Sequence, residues 1–144
     1  MPWWEAVRHQ PEKKTYAIRI FNSEERDVPK RDPLISSPLY VRVVEYFFDD
    51  NDEFMMCGPV TIDEETTRKI IEDFARHREY VECLLVHCSK GQNRSPAIAM
   101  ALNEIFGLGH DTNSLRENYQ AANRYVYKRL RETAEKLGLT SRVQ

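Results

Sequence analysis

From His87 to Ser95 the chain reads His-Cys-Ser-Lys-Gly-Gln-Asn-Arg-Ser, and no other stretch restricts its possible folds as tightly. The residues before it, Cys83 to His87, are apolar and β-favouring, while Pro96 to Phe106 carry apolar side chains at helical spacing. The run is therefore a loop between a strand and a helix. Such a loop binds anions, because its successive backbone N–H groups converge as a nest and the helix dipole adds positive charge there. Arg94 supplies a planar fork able to grip two oxygens at once, and Gly91 permits a positive φ or a close backbone approach. Chance alone produces His-Cys-x-x-Gly-x-x-Arg-Ser/Thr with an expectation on the order of 10⁻⁵ in a chain of this composition.

His87, Cys88, Gly91, Arg94 and Ser95 meet all five places of the signature of the cysteine-dependent protein tyrosine and dual-specificity phosphatases, which this sequence resembles. The resemblance extends more loosely from Tyr40 to Leu130, over a small core like that of predicted bacterial tyrosine phosphatases. It implies Cys88 as nucleophile and Arg94 as the phosphate clamp, with Ser89, Lys90, Gly91, Gln92 and Asn93 lending the loop around the phosphate. It also implies that His87 structures the loop and that Ser95 donates to the sulfur as it leaves. The chemistry demands a thiolate, since an ordinary cysteine with a pKa of about 8.5 is only slightly ionised at neutral pH. A helix N-terminus, a ring of N–H donors and Arg94 are the means to lower that value.

A phosphatase of this kind also needs a proton donor for the leaving oxygen. Tyr40 to Phe48, rich in Val, Tyr and Phe, reads as a central strand, and Asp49, Asp50 and Asp52 follow it. By resemblance the acid sits on a loop after such a strand. Asp50, 38 positions before Cys88, is the first choice, Asp52 the second and Asp49 the third. Its carboxylate would afterwards activate the water that attacks a phosphocysteine.

With 144 residues, 41% of them hydrophobic, the chain suits one globular domain spanning 1–144. A net charge of −2 argues against a general nucleic-acid binder, leaving an RNA 5′-phosphate as the one nucleic-acid substrate to consider. No run is long and apolar enough for a membrane helix, and Met1 to Lys14, with Trp3 and Trp4, lacks a signal core. A cytoplasmic protein is expected. Three cysteines make a disulfide framework unexpected, and none has ligand-spaced partners for zinc, so neither metal nor cofactor is implied. Cys57 and Cys83 read as buried small apolar residues, with a secondary reading as resolving thiols for an oxidised Cys88.

The expected architecture is a single-domain α/β sandwich, a largely parallel central sheet flanked by helices, with the site at the carboxyl end of the central strand. Thr15 to Phe21 and Tyr40 to Phe48 are strands, and Asp27 to Pro38, with three prolines, is a connecting loop. A Thr61/Glu64 capping box opens a helix faced by Ile70, Ile71, Phe74 and Ala75. Ile98, Leu102, Ile105 and Phe106 face inward on the next helix, which Gly107 and Gly109 end. Ser114/Glu117 opens a last helix through Ala122, Val126, Leu130, Ala134 and Leu137 to Gly138, on which Tyr125 and Tyr127 are packing or surface aromatics. The functional expectation is hydrolysis of phosphate monoesters on phosphoproteins, phosphotyrosine foremost, through a phosphocysteine. RNA 5′-triphosphatase, phosphoinositide phosphatase, non-catalytic phosphate binding and sulfur transfer are the alternatives.

Overall fold

Thr15–Phe21 (TYAIRIF) forms a strand, β1, whose seven residues are all buried, as expected of β-branched and aromatic residues with neighbours on both sides. In the computed structural model, which describes residues 1–26, 32–50, 60–89 and 91–139, β1 is the middle of three parallel strands. On one side it pairs with β2 (Tyr40–Phe47), matching Ile18 to Val44, and on the other with β3 (Cys83–His87), matching Ile18 to Val86. The centre of the described sheet is thus β1. Tyr40–Phe47 and the cysteine-bearing strand, both expected to be central, flank it, because β1 alone has continuous burial along its whole length.

Alternation along β1 sends Tyr16, Ile18 and Ile20 to the larger core, together with Val86 from β3. There they meet Ile70, Ile71 and Phe74 from α2 (Glu64–His77), Ile98, Leu102 and Ile105 from α3 (Arg94–Phe106), and Val126 and Leu130 from α5 (Arg124–Lys136). Ala17 and Leu85 point the other way, where the short helix α1 (Trp3–Ala6) supplies Ala6, and Met1, Leu34 and Tyr40 pack alongside. The long helices thus gather on one face of the sheet and the N-terminal segment covers the other. Truncating a side chain of the larger core, Ile18→Ala for instance, should cost about 2–5 kcal/mol.

Two helix starts differ from the capping expectation. Asp63, rather than Thr61, caps α2 by accepting from the N–H of Thr66 at 2.7 Å, because a carboxylate one residue before the helix reaches its third N–H directly. Asp111 likewise caps a separate short helix, α4 (Thr112–Asn118), and the Ser114 hydroxyl donates to it from inside the first turn. The chain then breaks at 119–123 and restarts as α5 under an Asn123 cap, so the long C-terminal helix is two. Helix α3 ends where Gly107 takes φ 62°, as its glycine foretold. Of the expected loop, residues 32–37 carry neither helix nor strand, and 27–31 lie outside the described residues. No helix among the described residues is long and apolar enough to cross a membrane.

Candidate active site

The strand, loop and helix expected around Cys88 are all present, and Cys88 lies just beyond the carboxyl end of β3. Helix α3 starts at Arg94 with its N-cap, Asn93, making no side-chain capping bond. Its first N–H groups are consequently left for whatever the loop holds. One of them, from Ser95, points at Cys88 Sγ at 3.4 Å, and the Ser95 hydroxyl oxygen lies 3.2 Å from the same sulfur. Burial by itself pushes the Cys88 thiol up. The Ser95 hydroxyl and N–H, the Gly91 main chain and the charge of Arg94 outweigh it, and the net direction is down, toward thiolate.

Arg94 is 3% exposed. It donates through Nη1 to the carbonyl of Phe48 at 2.7 Å and through Nη2 to Ser89 Oγ at 3.2 Å, and its Nε meets no hydrogen-bond partner among the described residues. The negative charges that face so buried a guanidinium are those of Cys88 and Asp49, both of which its charge favours.

Gly91 has φ 72°, and its close neighbour belongs to the chain itself. A Cβ there would lie 2.4 Å from the nitrogen of Pro2 and 2.5 Å from the carbonyl carbon of Met1. Pro2 pairs in parallel with Cys88, and the Cys88 N–H donates to the Met1 carbonyl at 3.2 Å. The N-terminal segment thus braces the loop from outside, which leaves glycine the only residue type that fits at position 91. Asn93 uses its side-chain amide to donate to the Ala121 carbonyl at 2.7 Å. Gln92 is exposed, and Lys90 lies outside the described residues.

His87 is fully buried and accepts at Nε2 from Arg19 Nε at 2.9 Å, which leaves the ring proton on Nδ1. Burial first, then the charge of Arg19, holds its pKa down at about 4. It is a neutral post under the loop. Arg19, itself 5% exposed in β1, also reaches Glu45 and the Asp32 carbonyl. Sequence reasoning missed this residue; a lone arginine in a buried strand was the available signal.

The three candidate acids separate. Asp49 accepts from the N–H and hydroxyl of Ser23 and from the Val60 N–H at 2.7 Å. Burial pushes its carboxyl up, but these donors and Arg94 outweigh it and hold it below the usual range. Asp50 is exposed, and its Oδ1 accepts a single described bond, from Asn123 Nδ2 at 2.7 Å. Asp52 lies outside the described residues. Arg94 and Asn123 together tie residues 48–50 to the Cys88 loop.

Cys83 departs from expectation: it is exposed, at the start of β3 where alternation turns it out of the core. Five residues of strand separate it from Cys88, about 16 Å, against the roughly 7 Å limit for Cα atoms in a disulfide, so it is no resolving thiol for Cys88. Cys57 lies outside the described residues.

No protein-family model matches the chain, and no curated protein matches it in sequence. Among solved structures, a human tyrosine phosphatase-like serine/threonine/tyrosine-interacting protein aligns with TM-score 0.57 and 17% identity over 94% of this chain and 89% of that one. Tk-PTP in its active form aligns with TM-score 0.44 and 15% identity over 85% of this chain and 78% of that one. The fold is that of tyrosine phosphatase-like proteins.

Proposed function

We propose that this chain, as one catalytic domain, hydrolyses phosphate monoesters of phosphoproteins through a phosphocysteine intermediate. The observation that carries the reading is Cys88 Sγ set against the hydroxyl and N–H of Ser95 at an uncapped helix N-terminus, with the buried Arg94 guanidinium across the same loop. That arrangement stabilises negative charge first on sulfur and then on the oxygens of a phosphoryl group in flight. Cys88 attacks phosphorus while Asp50 protonates the departing oxygen. The Asp50 carboxylate then takes a proton from the attacking water, and the Ser95 hydroxyl donates to the sulfur released. Arg94 and the main-chain N–H groups of Ser89 and of Gly91 to Arg94 hold the phosphoryl oxygens. Phosphotyrosine is the first substrate class, with phosphothreonine, phosphoinositide and RNA 5′-phosphate as alternatives on the same loop. The place of action is the cytoplasm.

A second reading, phosphate binding without turnover, draws on the human neighbour, which is named as an interacting protein. One panel separates the two: aryl phosphates, phosphotyrosine and phosphothreonine peptides, phosphoinositides and 5′-triphosphorylated RNA, each with wild type and Cys88→Ser. Turnover of aryl phosphates below neutral pH, blocked by vanadate and absent from the serine variant, is the expected result. Tight phosphopeptide binding with no hydrolysis of any ester would establish the second reading.

A further inference from the structure

Asn123 is 7% exposed and stands where three parts of the molecule meet. Its N–H donates to the carbonyl of Asn93, the loop residue before Arg94, at 2.9 Å. Its side-chain Oδ1 accepts from the Val126 N–H at 3.0 Å, capping α5. Its Nδ2 donates to Asp50 Oδ1 at 2.7 Å. The cap settles the amide orientation, since Val126 can only donate and so must face the oxygen. The NH₂ group is thereby pointed at Asp50 by a helix terminus that belongs to the core.

We propose that Asn123 is the positioning residue for the Asp50 general acid, and that it selects which carboxyl oxygen carries the proton. The inference rests on the reading of Asp50 given above. With Oδ1 occupied as an acceptor of the amide N–H, the proton of the neutral acid resides on Oδ2. In the first step the Oδ2 proton passes to the ester oxygen as the phosphorus–oxygen bond breaks and the sulfur–phosphorus bond forms. In the second, water adds its hydroxyl to phosphorus, the sulfur leaves as thiolate, and the water's other proton returns to Oδ2. Oδ1 stays on Asn123 throughout, so the carboxyl need not be re-oriented between its two roles. The same amide ties the acid's position to the phosphate loop, because the Asn123 main chain is bonded to Asn93.

Asn123→Asp preserves the cap, since aspartate and asparagine serve equally well there, but it replaces the donor by a carboxylate facing Asp50. Asn123→Ser keeps a capping hydroxyl and only removes the reach to Asp50. Both are to be compared with wild type and Asp50→Asn in kcat against leaving-group pKa and in the pH profile of kcat, after matching thermal midpoints. The expected result for Asn123→Asp is a loss of about 10-fold in kcat on phenyl phosphate, with 2,4-dinitrophenyl phosphate within about 2-fold of wild type. Its alkaline limb should move up by about one pH unit, because a like charge makes Asp50 hold its proton harder. Asn123→Ser should show the same selective loss in smaller degree, and none when added to Asp50→Asn. If the Asn123 variants superimpose on wild type while Asp50→Asn steepens the leaving-group dependence, or if Asn123→Ser and Asp50→Asn losses add, Asn123 is a helix cap only and the proposal falls. If Asp50→Asn itself leaves the dependence unchanged, Asp50 is not the acid, and both readings fall together.

Discussion

The loop from His87 to Ser95 and the segment from Phe48 to Asp50 are tied to each other but held differently. The loop is fixed by main chain: β3 runs into it, α3 runs out of it, and Met1 and Pro2 lie along its outer side. The Phe48–Asp50 segment runs out of β2 with main-chain bonds from the Phe48 N–H to Phe21 and the Asp49 N–H to Val60, and it reaches the loop through side chains, Arg94 to the Phe48 carbonyl and Asn123 to Asp50. Each manner of attachment suits a different task. Stabilising a thiolate and a phosphoryl group needs many weak dipoles in register, which a backbone loop supplies. The proton delivery proposed above needs a single carboxyl held in one orientation. The adjacent aspartates make the contrast concrete, for three donors reach Asp49, whose carboxyl lies below the usual range, whereas Asp50 is exposed and has one described donor, Asn123.

The largest effect that tests this contrast is loss of the loop's sulfur. Cys88→Ser should reduce hydrolysis to background for every ester, whatever the leaving group, and residual turnover of one substrate class by the folded variant would refute the single-site account. Asp50→Asn should cost about 10²- to 10⁴-fold on phenyl phosphate and far less on activated esters, as loss of a general acid does. Asp49→Asn should leave the leaving-group slope unchanged; if the slopes respond the other way round, the two aspartates exchange roles.

His87 tests the loop's foundation through pH. Its folded pKa of about 4 lies below the ordinary 6.5, so the unfolded chain binds the extra proton and stability rises with pH between those values. About 3 kcal/mol, fully present above pH 6.5, should be lost progressively as pH falls to 4, with no further change from this group below that. Urea midpoints across that window should show the slope, and His87→Gln should flatten it. Gly91→Ala should cost about 2 kcal/mol or more, from the positive φ and from collision with Pro2, by thermal denaturation. Smallest is Ser23→Ala, which removes one hydroxyl bond to Asp49 and should cost about 1 kcal/mol with no change in leaving-group slope.

Much of the molecule was legible in order along the chain. Periodicity placed β1, β2, β3 and α3 close to their observed bounds, and the run from His87 to Ser95 sets Ser95 against the Cys88 sulfur, because these relations span fewer than ten residues and follow from backbone geometry. Capping was read less well. Asp63 and Asp111 took over from Thr61 and Ser114, since several residues near a helix start compete for the same N–H groups and small differences in distance choose among them.

Other relations join residues far apart in the chain, and no local pattern encodes them. Arg19 reaches His87 only because β1 and β3 are neighbours in the sheet, and Gly91 is closely approached by Pro2 only because the N-terminus lies along the loop. Cys83 faces outward through strand alternation at the edge of the described sheet, where its residue type suggested burial. Asn123 meets Asp50 across 73 positions of chain. A thiolate loop is written in consecutive residues because adjacent peptide dipoles make it. The partner of Asp50 depends on where distant elements pack, and packing is a property of the whole core.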